Sequence, residues 1–318
     1  MSIEGKVTIL GANGAIGRGL GPLLGQHGIP YRVVGRSLLA LQVRFHGDPL
    51  CEQLQWDPED KDAFELACAG AGTVVYLVGV ALWKFKDHLP LIQKTLLAAK
   101  QAGVQRFLLV SSNWSYGTPQ TEPVGESHPR EPATVKGRIR REQEDRVLAA
   151  HVPGIFATGV LRMADLYGPR IEASHVWSVF QAAKKGTEAQ VLGPIDRPHE
   201  FVYVPDAVAT IPKILETDAA WSGEVAQTWN LGGVAVTTIR EMAELVFATE
   251  GKPPKYNVPG KFMMGFVRAL NPYIRELGEM QHLLDQPLLL DDAKLAQLLG
   301  GLHKTPYAEG VRATLALR

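Results

Sequence analysis

The sequence has few cysteines, no excess charge of either sign and no long apolar run. Two cysteines among 318 residues are too few for a disulfide framework or a zinc site, so we expect no metal. Lysine and arginine together number 33, as do aspartate and glutamate, and this balance leaves no basic surface for nucleic acid or an anionic membrane. The composition therefore predicts neither a nucleic-acid partner nor a membrane partner.

Signals for membrane insertion and for export are also weak. The longest uncharged apolar run covers residues 73–83, far short of the roughly 20 residues that a spanning helix needs. The first ten residues contain Glu4 and Lys6, where a signal peptide has an apolar stretch. We therefore expect a cytoplasmic protein.

Apolar segments alternate with helical patterns through the first half of the chain. Hydrophobic residues make up 46% of the sequence, enough for one large core or two modest ones. Strands are predicted at residues 6–10, 31–34, 73–79 and 106–110, and helices at 15–27 and 89–102. Strands with continuous apolar runs, separated by helices, are typical of a parallel sheet covered on both faces. The fold class is therefore α/β, a doubly wound parallel sheet of the Rossmann type.

The second half of the sequence has shorter predicted elements, interrupted by prolines. A loop rich in Ser, Pro, Thr and Gly is predicted at 111–134, followed by a charged helix at 136–150 and a strand at 154–161. Many prolines and short helices, such as 239–249 and 261–270, follow. We predict a dinucleotide-binding domain at 1–165 and a smaller, mostly helical substrate lobe at 166–318, interleaved with the last strands of the sheet.

A glycine motif joins the first strand to the first helix. It reads Gly11-Ala12-Asn13-Gly14-Ala15-Ile16-Gly17. In this context the first glycine makes the tight turn, the second admits a pyrophosphate close to the backbone, and the third lets helix and strand pack closely. Phosphate charge would lie at the helix N-terminus. The motif predicts a dinucleotide site on these residues; the alternative is a glycine-rich turn without a ligand.

Further motifs follow in a consistent order: the segment Ser111-Ser112 after a strand, Tyr167-Gly168-Pro169, and residues 199–206. With the G-x-x-G-x-x-G spacing, they make the chain resemble the extended branch of the short-chain dehydrogenase/reductase superfamily, which includes the NAD-dependent epimerases and dehydratases. The resemblance covers roughly residues 5 to 315.

This resemblance implies roles for individual residues. It places a catalytic hydroxyl at Ser112, cofactor contacts at Val78 and Gly79, and an adenine contact at Asp57. It also implies a small-molecule substrate and a homodimer. The implied substrate residues are Arg162, Asp165, Tyr167, His199 and Tyr203.

The chain departs from the family at the catalytic pair. The family's Tyr-x-x-x-Lys aligns with Lys136 and Arg140, so the tyrosine that exchanges a proton with substrate is absent. Arg140 could hold the ribose but cannot shuttle a proton. Lys136 is predicted to take the tyrosine's place, with Tyr116 as a further candidate phenol, and His88 lies nearest to the family's relay asparagine.

The charge of this helix bears on the same question. Four basic residues lie in its first turns, where the helix dipole disfavours cations, and this suggests a nearby anion. The alternative is a solvated helix face. The four residues are Lys136, Arg138, Arg140 and Arg141.

Cofactor choice is indicated at the end of the second strand. Arg36 and Ser37 stand there, where NAD-selective proteins usually place an acidic residue. Arginine can pair bidentately with a 2′-phosphate. We therefore predict NADP, with NAD as the second choice.

Two functions follow from these observations. The first is an atypical NADP(H)-dependent oxidoreductase acting on a carbonyl or hydroxyl compound, including a sugar nucleotide. The second is a non-catalytic dinucleotide-binding sensor, and lyase or isomerase chemistry on the same fold is a further alternative. Fold does not imply function, and the residues do not identify the substrate.

Overall fold

A computed structural model describes residues 5–60, 62–259, 284–286 and 288–317. The predicted helix at 261–270 lies outside these residues. The described chain forms a parallel sheet between two helical layers, with a second group of short elements at one end. In the described part of the chain, we find no helix long and apolar enough to cross a bilayer. The cytoplasmic location stays a prediction.

The central sheet has seven parallel strands in the order β10-β6-β5-β4-β1-β2-β3. Chain order reverses direction between β1 and β4, which places their carboxyl ends at a crevice. This topology confirms the predicted doubly wound fold. The strands are β1 (Lys6–Leu10), β2 (Tyr31–Gly35), β3 (Cys51–Gln55), β4 (Ala71–Tyr76), β5 (Arg106–Ser112), β6 (Ala157–Met163) and β10 (Gln227–Leu231).

Helices cover both faces of the sheet. They are α1 (Gly17–Gln26), α2 (Leu38–Arg44), α3 (Ala63–Cys68), α4 (His88–Gln101), α5 (Val135–Ala149) and α7 (Val204–Glu216). Successive strand residues enter different cores, because side chains alternate along a strand. Val33 and Val75 join a core with residues of α1 and α7, whereas Val34 and Val74 join a core with residues of α3, α4 and α5. Both faces are therefore apolar, as the continuous runs predicted.

The remaining elements form a smaller group with its own core. Two short strand pairs occur here, β7 (Asp165–Tyr167) with β9 (Phe201–Tyr203), and β8 (Ala189–Gln190) with β11 (Tyr256–Asn257). The helices are α6 (Trp177–Lys185), α8 (Ile239–Thr249), α9 (Ala293–Leu299) and α10 (Tyr307–Ala316). Residues of α6, α8 and α10 share one apolar cluster.

The last strand of the central sheet comes from the second half of the chain. β10 pairs with β6 in parallel, with Trp229 opposite Leu161. The second half of the chain therefore contributes to the sheet, and both the division at residues 165 and 166 and the substrate role of the second half stay predictions. Helix α7 also packs against α1 of the first half.

Candidate functional site

The glycine loop has the geometry that its spacing predicts. Gly11 has a φ of 84°, and a Cβ there would lie 2.6 Å from the Leu77 carbonyl oxygen. A Cβ on Gly17 would lie 2.6 Å from the Ala12 Cα. Gly14 is different, since a Cβ there would meet only the Gly11 carbonyl oxygen, at 3.2 Å. Two glycines are therefore required by the fold, and Gly14 leaves space toward the cavity that it lines.

A cavity of about 880 Å³ lies at the carboxyl ends of the central strands. Its size is typical of sites for drug-sized or cofactor-sized ligands. It joins the glycine loop to the ends of β2, β4 and β5. Its lining residues are Gly11, Asn13, Gly14, Ala15, Ile16, Gly17, Arg18, Gly35, Arg36, Ser37, Ala40, Arg44, Trp56, Leu77, Val78, Gly79, Val110, Ser111, Ser112, Arg140 and Leu166.

Most of the predicted cofactor residues meet at this cavity. They are Gly11, Asn13, Gly14, Ala15, Ile16, Gly17, Arg36, Ser37, Val78 and Gly79. Asp57 does not line it; its side chain is a hydrogen-bond acceptor for the Glu59 amide at 3.0 Å. The preceding Trp56 lines the cavity instead, and its buried indole N–H has no partner among the described groups.

The N-terminus of α1 faces the same space. Helix α1 begins at Gly17 after Ile16, and no described side chain caps it. The amides of Arg18 and Gly19 already bond to the Gly14 and Ile16 carbonyl oxygens, so the helix dipole and the amides of the preceding loop are what favour an anion. The loop can therefore accept a pyrophosphate through backbone N–H groups.

Positive charge is concentrated on the cavity surface. Arg18, Arg36, Arg44 and Arg140 line it, and the described lining contains no acidic residue. Arg18 is held by a hydrogen bond from its Nε to the Asn13 carbonyl oxygen at 2.7 Å. This surface suits a ligand that carries several negative charges.

Ser112 and Arg140 mark the other end of the cavity. The Ser112 hydroxyl is buried and has no hydrogen-bond partner among the described groups. Because buried polar groups are nearly always paired, this hydroxyl is a position at which a ligand atom would bind. Arg140 donates to Gln143 Oε1 at 2.5 Å, and its guanidinium lies 5.2 Å from the centre of the Phe85 ring. Burial lowers the pKa of Arg140 from its usual value, but an arginine remains a fixed cation.

His88 lies behind Arg140. Its Nε2 is 3.5 Å from an Arg140 Nη2 and its Nδ1 is 3.5 Å from Gln143 Nε2. Burial, and then the charge of Arg140, lower the pKa of His88 to about 2. The imidazole is therefore neutral at physiological pH and supports the arginine as a polar neighbour.

Lys136 lies one helical turn before Arg140, in the first turn of α5. Its side chain is buried, with 3% exposed, but Lys136 is not among the residues lining the cavity. Arg138 is exposed and Arg141 bonds to the Arg130 carbonyl oxygen. The basic start of α5 is thus divided between the cavity, the interior and the surface.

Tyr116 and Arg162 lie in a buried polar network rather than on the cavity. The Tyr116 hydroxyl accepts from Arg162 Nη1 at 2.9 Å and donates to Asn230 Oδ1 at 2.7 Å. Arg162 Nε pairs with Glu144 at 2.9 Å, and the Ser111 hydroxyl donates to the same carboxylate at 2.5 Å. Burial raises the pKa of Tyr116. Neither side chain lines the cavity, so the catalytic role of Tyr116 and the substrate contact of Arg162 stay predictions.

Asp165 and His199 are brought together, with His175 as a third member. His199 Nε2 and His175 Nε2 lie 3.0 and 3.3 Å from Asp165 Oδ2. Although burial acts in the opposite direction, the two imidazoles hold the pKa of Asp165 well below its usual range. Burial likewise opposes protonation of His175, yet Asp165 raises its pKa overall. Of the adjoining residues, Leu166 lines the cavity and Asp165 does not.

Tyr167 and Tyr203 pack against each other, with ring centres 5.2 Å apart. Tyr167 is fully buried, while Tyr203 is partly exposed. Neither lines the cavity. Their substrate contacts therefore stay predictions, and the packing accounts for their aromatic character.

Sequence reasoning missed several lining residues. Arg18 directly follows the last motif glycine, and Arg44 lies seven residues after Ser37, a spacing that shares one face of a helix. Trp56 adjoins the predicted Asp57. Recognising residues 38–44 as a helix would have identified Arg44.

Comparisons with known proteins agree with this geometry. The model of the NAD dependent epimerase/dehydratase family matches residues 7–232. A relative from Arabidopsis thaliana, "NADH dehydrogenase (ubiquinone) 1 alpha subcomplex subunit 9, mitochondrial", is 26% identical over 317 residues, covering 92% of this chain and 73% of that protein.

Solved structures share the fold. UDP-N-acetylglucosamine 4-epimerase from Bacillus cereus superposes with a TM-score of 0.76 at 18% identity, covering 99% of each chain. The Bordetella bronchiseptica enzyme WbmG, in complex with NAD and UDP, gives 0.76 at 19% identity, covering 98% of this chain and 94% of that one. The match of the family model to residues 7–232 confirms the resemblance stated from the motifs.

Proposed function

Because the chain belongs to the NAD dependent epimerase/dehydratase family, we propose that it binds NADP(H) in the cavity at the carboxyl ends of the strands. One observation carries this proposal: four arginines line the cavity and no acidic residue does so in the described lining. A dinucleotide with a 2′-phosphate brings the negative charge that this surface lacks.

The residues present fit such a group. The α1 start, with Gly14 open toward the cavity, would hold the pyrophosphate through backbone N–H groups. The unpartnered Ser112 hydroxyl and Arg140 would bind near the nicotinamide end. When bound, the dinucleotide supplies hydride exchange at its nicotinamide ring.

Selectivity for NADP over NAD rests on the end of β2. Arg36 and Ser37 are both exposed and both line the cavity. An acidic residue, which would hold the two ribose hydroxyls of NAD and repel a 2′-phosphate, is absent from these positions. WbmG is bound to NAD, so this preference would be a departure from that structural neighbour.

We further propose that holding the dinucleotide is the main role of the site. In the motif alignment, Lys136 stands in the position of the family's proton-transferring tyrosine. Arg140 is a fixed cation that packs against Phe85 and Gln143. The Arabidopsis relative is named as a subunit of a larger assembly, which suits a protein that keeps its nucleotide as a lasting component.

An oxidoreductase is the second candidate. The orphaned Ser112 hydroxyl in the cavity favours it, since this group could orient a substrate oxygen while Lys136 exchanges the proton. The UDP in the WbmG structure makes nucleotide sugars one substrate class to try. The homodimer and the cytoplasmic location remain predictions.

Two measurements test the proposal. Calorimetric titration should give tighter binding for NADPH than for NADH, and tighter binding of NADH would contradict it. Protein carrying NADPH should then show no loss of absorbance at the nicotinamide band when mixed with small aldehydes, ketones or nucleotide sugars. Steady oxidation with any of them would make the second candidate the function.

A further inference from the structure

The geometry points to a further specificity site: we infer that Arg44, together with Arg18, binds the adenosine 2′-phosphate of NADP(H) in addition to Arg36 and Ser37. This inference rests on the proposed function and deepens it. Arg36 stands where selectivity is usually decided, at the end of the second strand. Arg44 and Arg18 come from two helices, α2 and α1.

Helix α2 presents one face to the cavity. Ser37, Ala40 and Arg44 all line it, and their spacing of three and four residues places them on one side of a helix. The Ser37 hydroxyl accepts the Ala40 amide at 3.2 Å, which fixes the start of α2. Arg44 therefore lies at the other end of the same face, in the last turn.

Arg44 carries a donor that the fold leaves unsatisfied. Its Nε is buried and has no hydrogen-bond partner in the described part of the chain. The Nε of Arg18, by contrast, bonds to the Asn13 carbonyl oxygen, so its terminal N–H groups are the ones available to a ligand. Buried donors are nearly always paired in native proteins. An acceptor atom of a ligand would give the Nε–H group of Arg44 the hydrogen bond that it lacks.

Several arginines away from the cavity have carboxylate partners. Examples are Arg32 with Glu52, Arg106 with Asp218, Arg130 with Asp145 and Arg240 with Asp196. Across the described residues, neither Arg18 nor Arg44 is in such a pair. Arg18 and Arg44 therefore bring positive charge to the cavity lining that no described carboxylate neutralises by direct pairing.

Like charges surround Arg44. Burial first, and then the charges of Arg18 and Arg170, lower its pKa. Arg170 is exposed and contributes repulsion without lining the cavity. A cluster of this kind is stabilised by an anion, and a phosphate monoester carries close to two negative charges at neutral pH.

The 2′-phosphate suits this cluster better than the pyrophosphate does. The α1 N-terminus already offers backbone donors to a pyrophosphate. NADH and NADPH share the pyrophosphate, so arginines that bound it would raise the affinity for both cofactors equally. Arginines that bind the 2′-phosphate separate the two cofactors, and the experiment uses this difference.

The test measures dissociation constants of NADPH and NADH for the full chain and for Arg44→Met. We expect NADPH affinity to fall about tenfold or more, as for the loss of a charge-assisted hydrogen bond, and NADH affinity to change less than about twofold. Arg44→Lys should lie between, because it keeps the charge but loses the planar donor pair. Arg312→Met, at an exposed position of α10, is the matched control and should change neither constant.

Three results would overturn the inference. Equal losses for both cofactors would assign Arg44 to the pyrophosphate, and unchanged constants would leave it without a role. Circular dichroism would show whether Arg44→Met folds. If it does not, an unchanged ratio of the NADPH and NADH dissociation constants in both Arg44→Lys and Arg18→Lys would contradict the inference. Failure of the proposed function is distinct, since the parent protein itself would then not prefer NADPH.

Discussion

Replacing Glu144 by glutamine should destabilise the protein by about 3–5 kcal/mol, the usual cost of removing one partner from a buried ion pair. The Glu144 side chain is fully buried, and its carboxylate accepts from Arg162, Arg130 and the Ser111 hydroxyl. Arg162 is only 1% exposed, so the substitution leaves a guanidinium charge inside the protein without its counter-ion. Arg130 keeps a second partner, Asp145, and should contribute little to the loss.

The assay is urea unfolding at pH 7, followed by circular dichroism. Glu142→Gln is the matched control: it lies two residues earlier on α5, is about half exposed, and pairs with Arg146 at 2.7 Å. An exposed pair of this kind is worth roughly 0–1 kcal/mol. The double variant Glu144→Gln, Arg162→Met should recover part of the lost stability, because it removes the stranded charge. A loss below about 1 kcal/mol in Glu144→Gln, similar to the control, would refute the reasoning.

Three further predictions concern the cavity and its surroundings. Gly17→Ala should lower the free energy of unfolding by about 1–3 kcal/mol, because its Cβ would lie 2.6 Å from the Ala12 backbone. Gly14→Ala, whose Cβ would lie 3.2 Å from the Gly11 carbonyl oxygen, should cost less stability and weaken NADPH binding; the opposite ranking would contradict the assignment of the two glycines. Arg140→Met should weaken NADPH binding about tenfold and Lys136→Met less than about twofold, measured by calorimetry, since only the arginine lines the cavity; equal losses would place the lysine at the cofactor. His88 is neutral in the fold, with a pKa of about 2, but takes up a proton below about pH 6.5 when unfolded. The parent should therefore lose about 1.4 kcal/mol of stability relative to His88→Gln between pH 7.5 and 5.5; parallel stability profiles would show that the imidazole takes up its proton over the same pH range in the folded and unfolded states.

The strands of the sheet could be predicted because their apolar runs are local. Residues 6–10 form a strand with the predicted bounds, and residues 239–249 form the predicted helix. The strand expected at 154–161 begins later, at Ala157, because a turn with Gly154 at a φ of 70° precedes it. The order of the strands in the sheet and the pairing of β10 with β6 could not be predicted. They depend on contacts between segments that are distant in sequence, and the hydrophobic periodicity of each segment gives no information about such contacts.

The glycine loop was equally predictable, because one short segment makes the tight turn, leaves room for a ligand close to the backbone, and lets the first helix pack against the first strand. The hydrogen-bond partners of Tyr116 could not be predicted in the same way, because Arg162 and Asn230 lie 46 and 114 residues away in the sequence. Asp57 and Trp56 show a finer limit. Adjacent residues point in different directions at the end of a strand, and only the tertiary structure decides which one lines the cavity.

Strand β10 has a consequence for any attempt to express the predicted dinucleotide-binding half alone. A fragment ending near residue 165 would lack residues 227–231, which pair with residues 159–163 of β6. Strand β6 would then become an edge with unpaired backbone groups, and its residues are all buried in the intact protein. Long apolar edges of this kind recruit further strands from neighbouring molecules. The nucleotide site therefore cannot be transplanted as a contiguous stretch of chain, and a minimal version of it has to be built by bringing 227–231 back beside β6 through a shortened or rearranged connection.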